Sequence, residues 1–256
     1  YTPTFTYTPL PTDTPTPTET PQPTSTPTLT YYPAGHITAP ILLYHHVSDE
    51  GNGNRYYVTV SDFRSQMEAL RDWGYSAITI SDFAKVLIEG GELPLRPVVI
   101  TFDDGNLDVY ENAFPVMREL GFVGTNYIVA NRLQSKDFMN VEQLQELADA
   151  GWEIGSHSMT HSDLTLDHSI ANYEIRQSML LLEDATGDAV STFAYPYGKT
   201  DDFITTKVSE YGYRAGMGLG LSYDHYLGTL FYLSRIEIQA DYDLTKFGTL
   251  LPWSDK

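Results

Sequence analysis

Short apolar runs alternate with amphipathic helical stretches from residue 41 onward, and this alternation limits the fold more than any other feature. Ile41-Leu42-Leu43-Tyr44 reads as a buried strand. Ser61 is the expected N-cap of a helix that carries Phe63, Met67 and Leu70 on one face and ends near Gly74. Residues 75–80 are strand-like, and Ser81 opens a second helix with Phe83, Val86 and Leu87, which Gly90-Gly91 stops. A buried strand follows at 97–102, then a helix at 108–120, a strand at 122–129, a helix at 141–150 and a strand at 152–154. A long amphipathic helix is expected over 169–186, a strand over 192–195, a helix over 202–211, and strands near Tyr213 and over 232–238. Units of this kind predict an α/β fold with parallel strands joined by crossover helices. About seven of them, with no glycine-rich dinucleotide fingerprint, favour a closed (β/α) barrel over an open sheet.

Residues 1–30 are a different kind of polymer. Thirteen are Thr and eight Pro, and Asp13 and Glu19 carry the only charges. Such a stretch buries too little apolar area to offset its conformational entropy, and its prolines favour extended conformations. It reads as a disordered spacer or stalk over residues 1–36, ahead of a globular domain at 37–256. Tethering to a cell surface through this tail fits that composition. The expected location is therefore secreted or on a bacterial cell surface. No apolar run approaches the roughly 20 residues that span a bilayer, so no transmembrane segment is expected. With 15 Lys plus Arg against 34 Asp plus Glu, the net charge is −19. Nucleic acid is excluded as a partner on that balance, because binding it requires cationic side chains at the phosphates. Zero cysteines remove disulfides, thiolate metal sites and thiol catalysis together.

Three predicted strand ends carry the polar residues. Thr101-Phe102-Asp103-Asp104-Gly105 follows an apolar strand directly. Within a strand, neighbouring side chains point to opposite faces, but at a strand end with Gly105 free to turn both carboxylates can reach one centre. Two carboxylates that close repel, and a cation or shared proton would relieve them; a plain turn with a helix cap is the other reading. Gly155-Ser156-His157-Ser158-Met159-Thr160-His161 follows the strand at 152–154. Histidines four apart can present two nitrogens to one metal, or be two solvated surface groups. Together Asp104, His157 and His161 offer two nitrogens and one oxygen, the ligand set of a catalytic zinc site. Asp103, left unligated, is then placed to serve as a general base. Phe193-Ala194-Tyr195-Pro196-Tyr197-Gly198 ends a third strand, where Pro196 fixes the backbone so that the Tyr197 N–H can donate to an oxyanion.

These segments, in this order, resemble the first three motifs of the polysaccharide deacetylase family, the NodB-homology group or carbohydrate esterase family 4. The run from Leu147 to His157 is similar to the family's approach to its histidine motif, and the resemblance covers residues 41–238. It implies a distorted (β/α) barrel, one divalent metal ion, usually Zn2+, and an acetylated polysaccharide as substrate. It implies hydrolysis of N-acetyl or O-acetyl groups, N-acetyl on glucosamine-type units being the expected case. Carried across, Asp103 matches the base, Asp104, His157 and His161 the metal ligands, and the Tyr197 N–H the oxyanion donor. Tyr195, Pro196 and His46 are the expected substrate contacts. Two positions depart from the pattern. Ala194 stands where members commonly carry an Arg that steadies the base, and Leu233-Ser234-Arg235-Ile236 stands where a Leu-x-His motif supplies the general acid. Leu43-Tyr44-His45-His46-Val47 resembles an early Tyr-His motif of the biofilm exopolysaccharide deacetylases, so His45 is the expected acid, His46 the reserve and His225 a weaker rival. His36 and His168 read as surface residues, and Tyr56, Tyr57, Tyr110, Tyr127 and Tyr223 sit near loop ends where sugars could stack.

Overall fold

The computed structural model describes residues 28–253; of the disordered tail expected over 1–36, residues 1–27 lie outside them. The strands are β1 (Leu29–Tyr32), β2 (His36–Thr38), β3 (Ile41–Tyr44), β4 (His46–Val47), β5 (Tyr57–Val58), β6 (Ser76–Ile78), β7 (Gly91–Pro94) and β8 (Pro97–Phe102). They continue with β9 (Thr125–Ile128), β10 (Glu153–Ser156), β11 (Thr192–Ala194), β12 (Ala215–Met217), β13 (Asp224–Tyr226) and β14 (Ile236–Glu237). The α-helices are α1 (Val60–Asp72), α2 (Ile80–Glu89), α3 (Phe114–Glu119), α4 (Val141–Asp149), α5 (Ser178–Thr186), α6 (Asp202–Glu210) and α7 (Leu244–Thr249).

Parallel strands in the order β12-β11-β10-β9-β8-β3-β14 make the main sheet. The expected distorted barrel of about seven parallel strands is what these residues form. β6 pairs in parallel with the first half of β8, below β9, which takes the second half of the same edge. The expected strand at 232–238 is cut to Ile236–Glu237 because the segment changes partner midway. Leu233 bridges Met217 of β12, whereas Ile236 and Glu237 pair with Leu42 and Leu43 of β3. That switch spans the two edges of the curled sheet and sets Arg235 between them.

Alternation along the strands sorts the core into two layers. Ile41, Val99, Tyr127, Ala194 and Met217 fill the barrel interior. Leu42, Val98, Ile100, Phe102 and Ile154 face the surrounding helices. Helices α1 and α2 begin two residues earlier than their serines suggest. The N-caps are Thr59 and Thr79, whose hydroxyls accept from the N–H of Asp62 and Asp82 and donate back to those carboxylates. Two expected helices start as π-helical turns, at Val109–Ala113 and Asn172–Gln177, before regular α-helix takes over.

Three short ladders had no sequence signal. β1 pairs antiparallel with β7, β2 pairs antiparallel with β13, and β4 pairs with β5. β1 falls on the tail side of the boundary drawn at residue 36. Because β7 leads directly into the start of β8, β1 sits at the N-terminal end of the barrel, opposite the end where β8 delivers Asp103 and Asp104. Among the described residues no helix is long and apolar enough to cross a membrane.

Candidate active site

At the C-terminal end of the barrel, a cavity of about 360 Å³ collects side chains from the ends of β3, β8, β10 and β11. His45, His46, Asp103, Asp104, His157, His161, Tyr195 and Tyr197 all line it, so eight of the nine predicted site residues meet there. Pro196, the ninth, is buried behind the turn and does not line the cavity. Tyr195 is fully buried and its hydroxyl donates to the Phe231 carbonyl, so it presents little to a ligand.

The backbone makes this convergence. Asp103 follows the interior parity of Val99 and Thr101, and strict alternation would send Asp104 outward. Asp104 instead adopts a left-handed φ of 75°, ahead of Gly105 at 79°, which returns its carboxylate to the same cavity. Ser158 (66°), His161 (64°) and Tyr197 (59°) are left-handed too. Four of the seven left-handed non-glycine residues described thus belong to this one site. Such conformations cost about 1–3 kcal/mol each and survive only where the surroundings enforce them.

Asp104, His157 and His161 bring their donor atoms within 4.8 Å of one another. That is close enough for one ion to be shared at roughly 2 Å bond lengths after small side-chain movements. The His157 ring hydrogen-bonds the Ala194 carbonyl through Nδ1 at 2.8 Å, and a carbonyl can only accept. Nδ1 therefore carries the proton and Nε2 offers its lone pair to the site. Burial, then the neighbouring His157, push His161 down to about 4, which keeps that imidazole neutral as a ligand must be. Arg132 approaches Asp104 Oδ1 at 3.2 Å from the turn that follows β9. The residues fit a divalent ion, and the nitrogen-rich donor set suits zinc better than magnesium or calcium.

Asp103 is the most constrained carboxylate of the group. Arg235 grips it with two hydrogen bonds, Nη1 to Oδ1 at 2.7 Å and Nη2 to Oδ2 at 2.8 Å, and the two side chains are 1% and 3% exposed. The same guanidinium donates to the Gly218 carbonyl at 3.1 Å and lies over the Tyr127 ring. Burial alone would push Asp103 up; Arg235, with His157 and His45, more than reverses that and holds it below the ordinary carboxylate range. Arg235 was not among the expected site residues. The signal was the one basic residue in the expected strand at 232–238, together with the Arg missing at Ala194.

His45 faces Asp103 and Asp104 across the cavity. Burial lowers its pKa, partly offset by those two carboxylates, and its Nδ1 is buried with no hydrogen-bond partner among the described residues. Tyr56 lies 4.7 Å from the His45 ring, and Tyr57 stacks on His46 at 3.9 Å. His46 in turn bonds Asp108 at 2.7 Å, facing a second cavity. His225 is far from this: it is buried at the other end of the barrel, on the Ala39 carbonyl and against Phe83. His36 and His168 are exposed, each beside an aspartate. Of the five tyrosines considered for sugar stacking, Tyr56 and Tyr57 line the cavity, Tyr127 is buried in the barrel, and Tyr110 and Tyr223 lie outside it.

Residues 90–216 match the family model described as polysaccharide deacetylase. The chain belongs to the polysaccharide deacetylase family. It is 30% identical over 181 residues to the poly-beta-1,6-N-acetyl-D-glucosamine N-deacetylase of Staphylococcus epidermidis, covering 64% of this chain and 62% of that protein. It is 29% identical over 179 residues to YxkH, a Bacillus subtilis protein named for the polysaccharide deacetylases, covering 70% of this chain and 63% of that one. This family member thus spans just over three fifths of the length of these relatives. The fold is similar to that of BC0361, a polysaccharide deacetylase from Bacillus cereus, with a TM-score of 0.75 and 24% identity over 84% of this chain and 69% of that one.

Proposed function

We infer that the protein is a metal-dependent deacetylase that removes acetyl groups from an extracellular or cell-wall polysaccharide of N-acetylglucosamine type. The observation that carries this reading is the division of labour between neighbouring carboxylates. Asp104 converges with two histidines, while Asp103 is held out of that group by the bidentate clasp of Arg235. A site meant only to bind a sugar has no use for a buried, fixed and ionised carboxylate beside a metal-ligand triad.

Asp104, His157 and His161 would hold one zinc ion. When bound, the metal supplies Lewis acidity, which polarises the acetyl carbonyl and acidifies a water. Asp103 takes the proton of the water that attacks the acetyl carbon. The tetrahedral oxyanion receives the Tyr197 N–H, which the turn leaves free by running its own bonds from Gly198 and Lys199. His45, across the cavity, gives a proton to the leaving nitrogen as the carbon–nitrogen bond breaks, and acetate and a free amine result. Tyr56, His46, Tyr57 and the exposed Tyr197 ring line the path for the sugar, with Tyr195 and Pro196 holding the turn from behind.

The polymer assignment leans on the Staphylococcus epidermidis relative, which is named for poly-beta-1,6-N-acetyl-D-glucosamine. An extracytoplasmic setting is supported by the Thr/Pro-rich segment and by β1, which joins the barrel opposite the cavity and so turns the site away from a tether. The test is acetate release from β-1,6-linked N-acetylglucosamine oligomers alongside O-acetylated xylan. Release at least tenfold faster from the amide polymer is expected; faster release from the ester polymer would replace this substrate with O-acetyl groups.

A further inference from the structure

Outside the cavity, one buried ionisable group has no part in the steps above. Glu174 is 2% exposed and stands on the π-helical turn Asn172–Gln177, with no cation paired to it among the described residues. Burying a carboxylate is costly unless donors surround it. Its donors all come from one place. Oε2 accepts the N–H of Met159 at 3.1 Å and of Thr160 at 2.8 Å, and Oε1 accepts the Thr160 hydroxyl at 2.6 Å. These are the residues between His157 and His161.

That loop needs an outside clamp. Ser158 and His161 are both left-handed, and the loop's other bonds hold its opposite edge. The Ser158 and Met159 carbonyls accept from Ala130 and Asn131, while His161 N–H donates to Ser158 Oγ. Without Glu174 the Met159 and Thr160 amides would lose their acceptor, and a buried donor left unpaired is costly. The carboxylate is itself fixed. Ser178 Oγ donates to the Glu174 and Ile175 carbonyls, and it also bonds Ser156 Oγ, one residue before His157. Tyr213 caps the Ile175 carbonyl from below. A continuous chain of bonds thus runs from the end of β10 through this helix turn back to the loop between the two histidines.

We propose that Glu174 is a positioning residue of the metal centre, setting the spacing of His157 and His161 by holding the backbone between them. The inference rests on the metal-site reading above. Zinc affinity, measured by competition with a chromophoric chelator, tests it alongside circular dichroism of each apoprotein. Glu174→Ala is expected to bind zinc about 10–100-fold more weakly than wild type, as losses of outer-shell partners do. Glu174→Asp keeps the charge but falls short by one methylene, and should also lose at least about tenfold. Glu174→Gln keeps the reach and an acceptor for the two amides, and should recover most of the affinity. Ile175→Ala, a core truncation on the same turn, should lower thermal stability yet leave zinc affinity unchanged. Folded Ala or Asp variants that bind zinc like wild type would overturn the inference; if Glu174→Ala does not fold, Glu174→Asp decides alone. Wild type that binds no zinc would instead overturn the metal-site reading itself.

Discussion

Replacing Arg235 by Met is expected to lower kcat for acetate release by about 100-fold and to destabilise the fold by about 3–5 kcal/mol. The stability loss follows from leaving Asp103 buried without its counter-charge, which costs more than the intact pair contributes. The kinetic loss follows from geometry, since misplacing a reacting group by about an ångström costs on the order of 10²-fold. Arg235→Lys keeps the charge but cannot make two parallel bonds, and should fall between wild type and Met in both measurements. Adding Asp103→Asn to Arg235→Met removes both charges, so stability should largely return while activity does not. Chemical denaturation with steady-state kinetics on the four proteins checks this. A double variant no more stable than Arg235→Met would contradict the ion-pair account.

Asp103→Asn alone should reduce kcat/KM by about 10³-fold, within the range for removal of a general base. Zinc affinity should stay near wild type, because Asp103 is not one of the three converging ligands. The leaving group separates this residue from His45. On an N-acetyl substrate His45→Ala should also be severely slowed, because the departing amine needs a proton. On an activated aryl acetate, whose leaving group needs none, His45→Ala should recover most of the wild-type rate and Asp103→Asn should not. Equal losses for both variants on both substrates would deny the two residues distinct roles.

The barrel was legible because its strands are short, apolar and punctuated by amphipathic helices, and because a distinctive motif ends three of them. The convergence of Asp104, His157 and His161 was legible for the same reason, since adjacent aspartates and a histidine pair four apart are rarely needed by a core. What stayed hidden was carried by single residues whose partners are distant in sequence. Arg235 lies 132 residues from Asp103, and its place as the one basic residue of a short strand does not by itself name the carboxylate it clasps. Only closure of the barrel by a segment that pairs first with β12 and then with β3 brings it to Asp103. Glu174 was equally invisible, because on a helix a buried glutamate reads as one more polar position. The caps at Thr59 and Thr79 were readable in principle: each is a Thr followed three residues later by an Asp, and serine at the expected position masked them. Tyr195 and Pro196 are expected contacts through their place in a motif, and what the motif does not reveal is that both are buried beside the left-handed turn at Tyr197.

The most direct measurement is acetate release from a β-1,6-linked N-acetylglucosamine pentamer by protein as purified, after exhaustive chelation, and after one equivalent of zinc is returned. Activity lost on chelation and restored by a single equivalent, but not restored in His157→Ala or His161→Ala, is the predicted result. Undiminished release by fully chelated protein would contradict the metal-centred account.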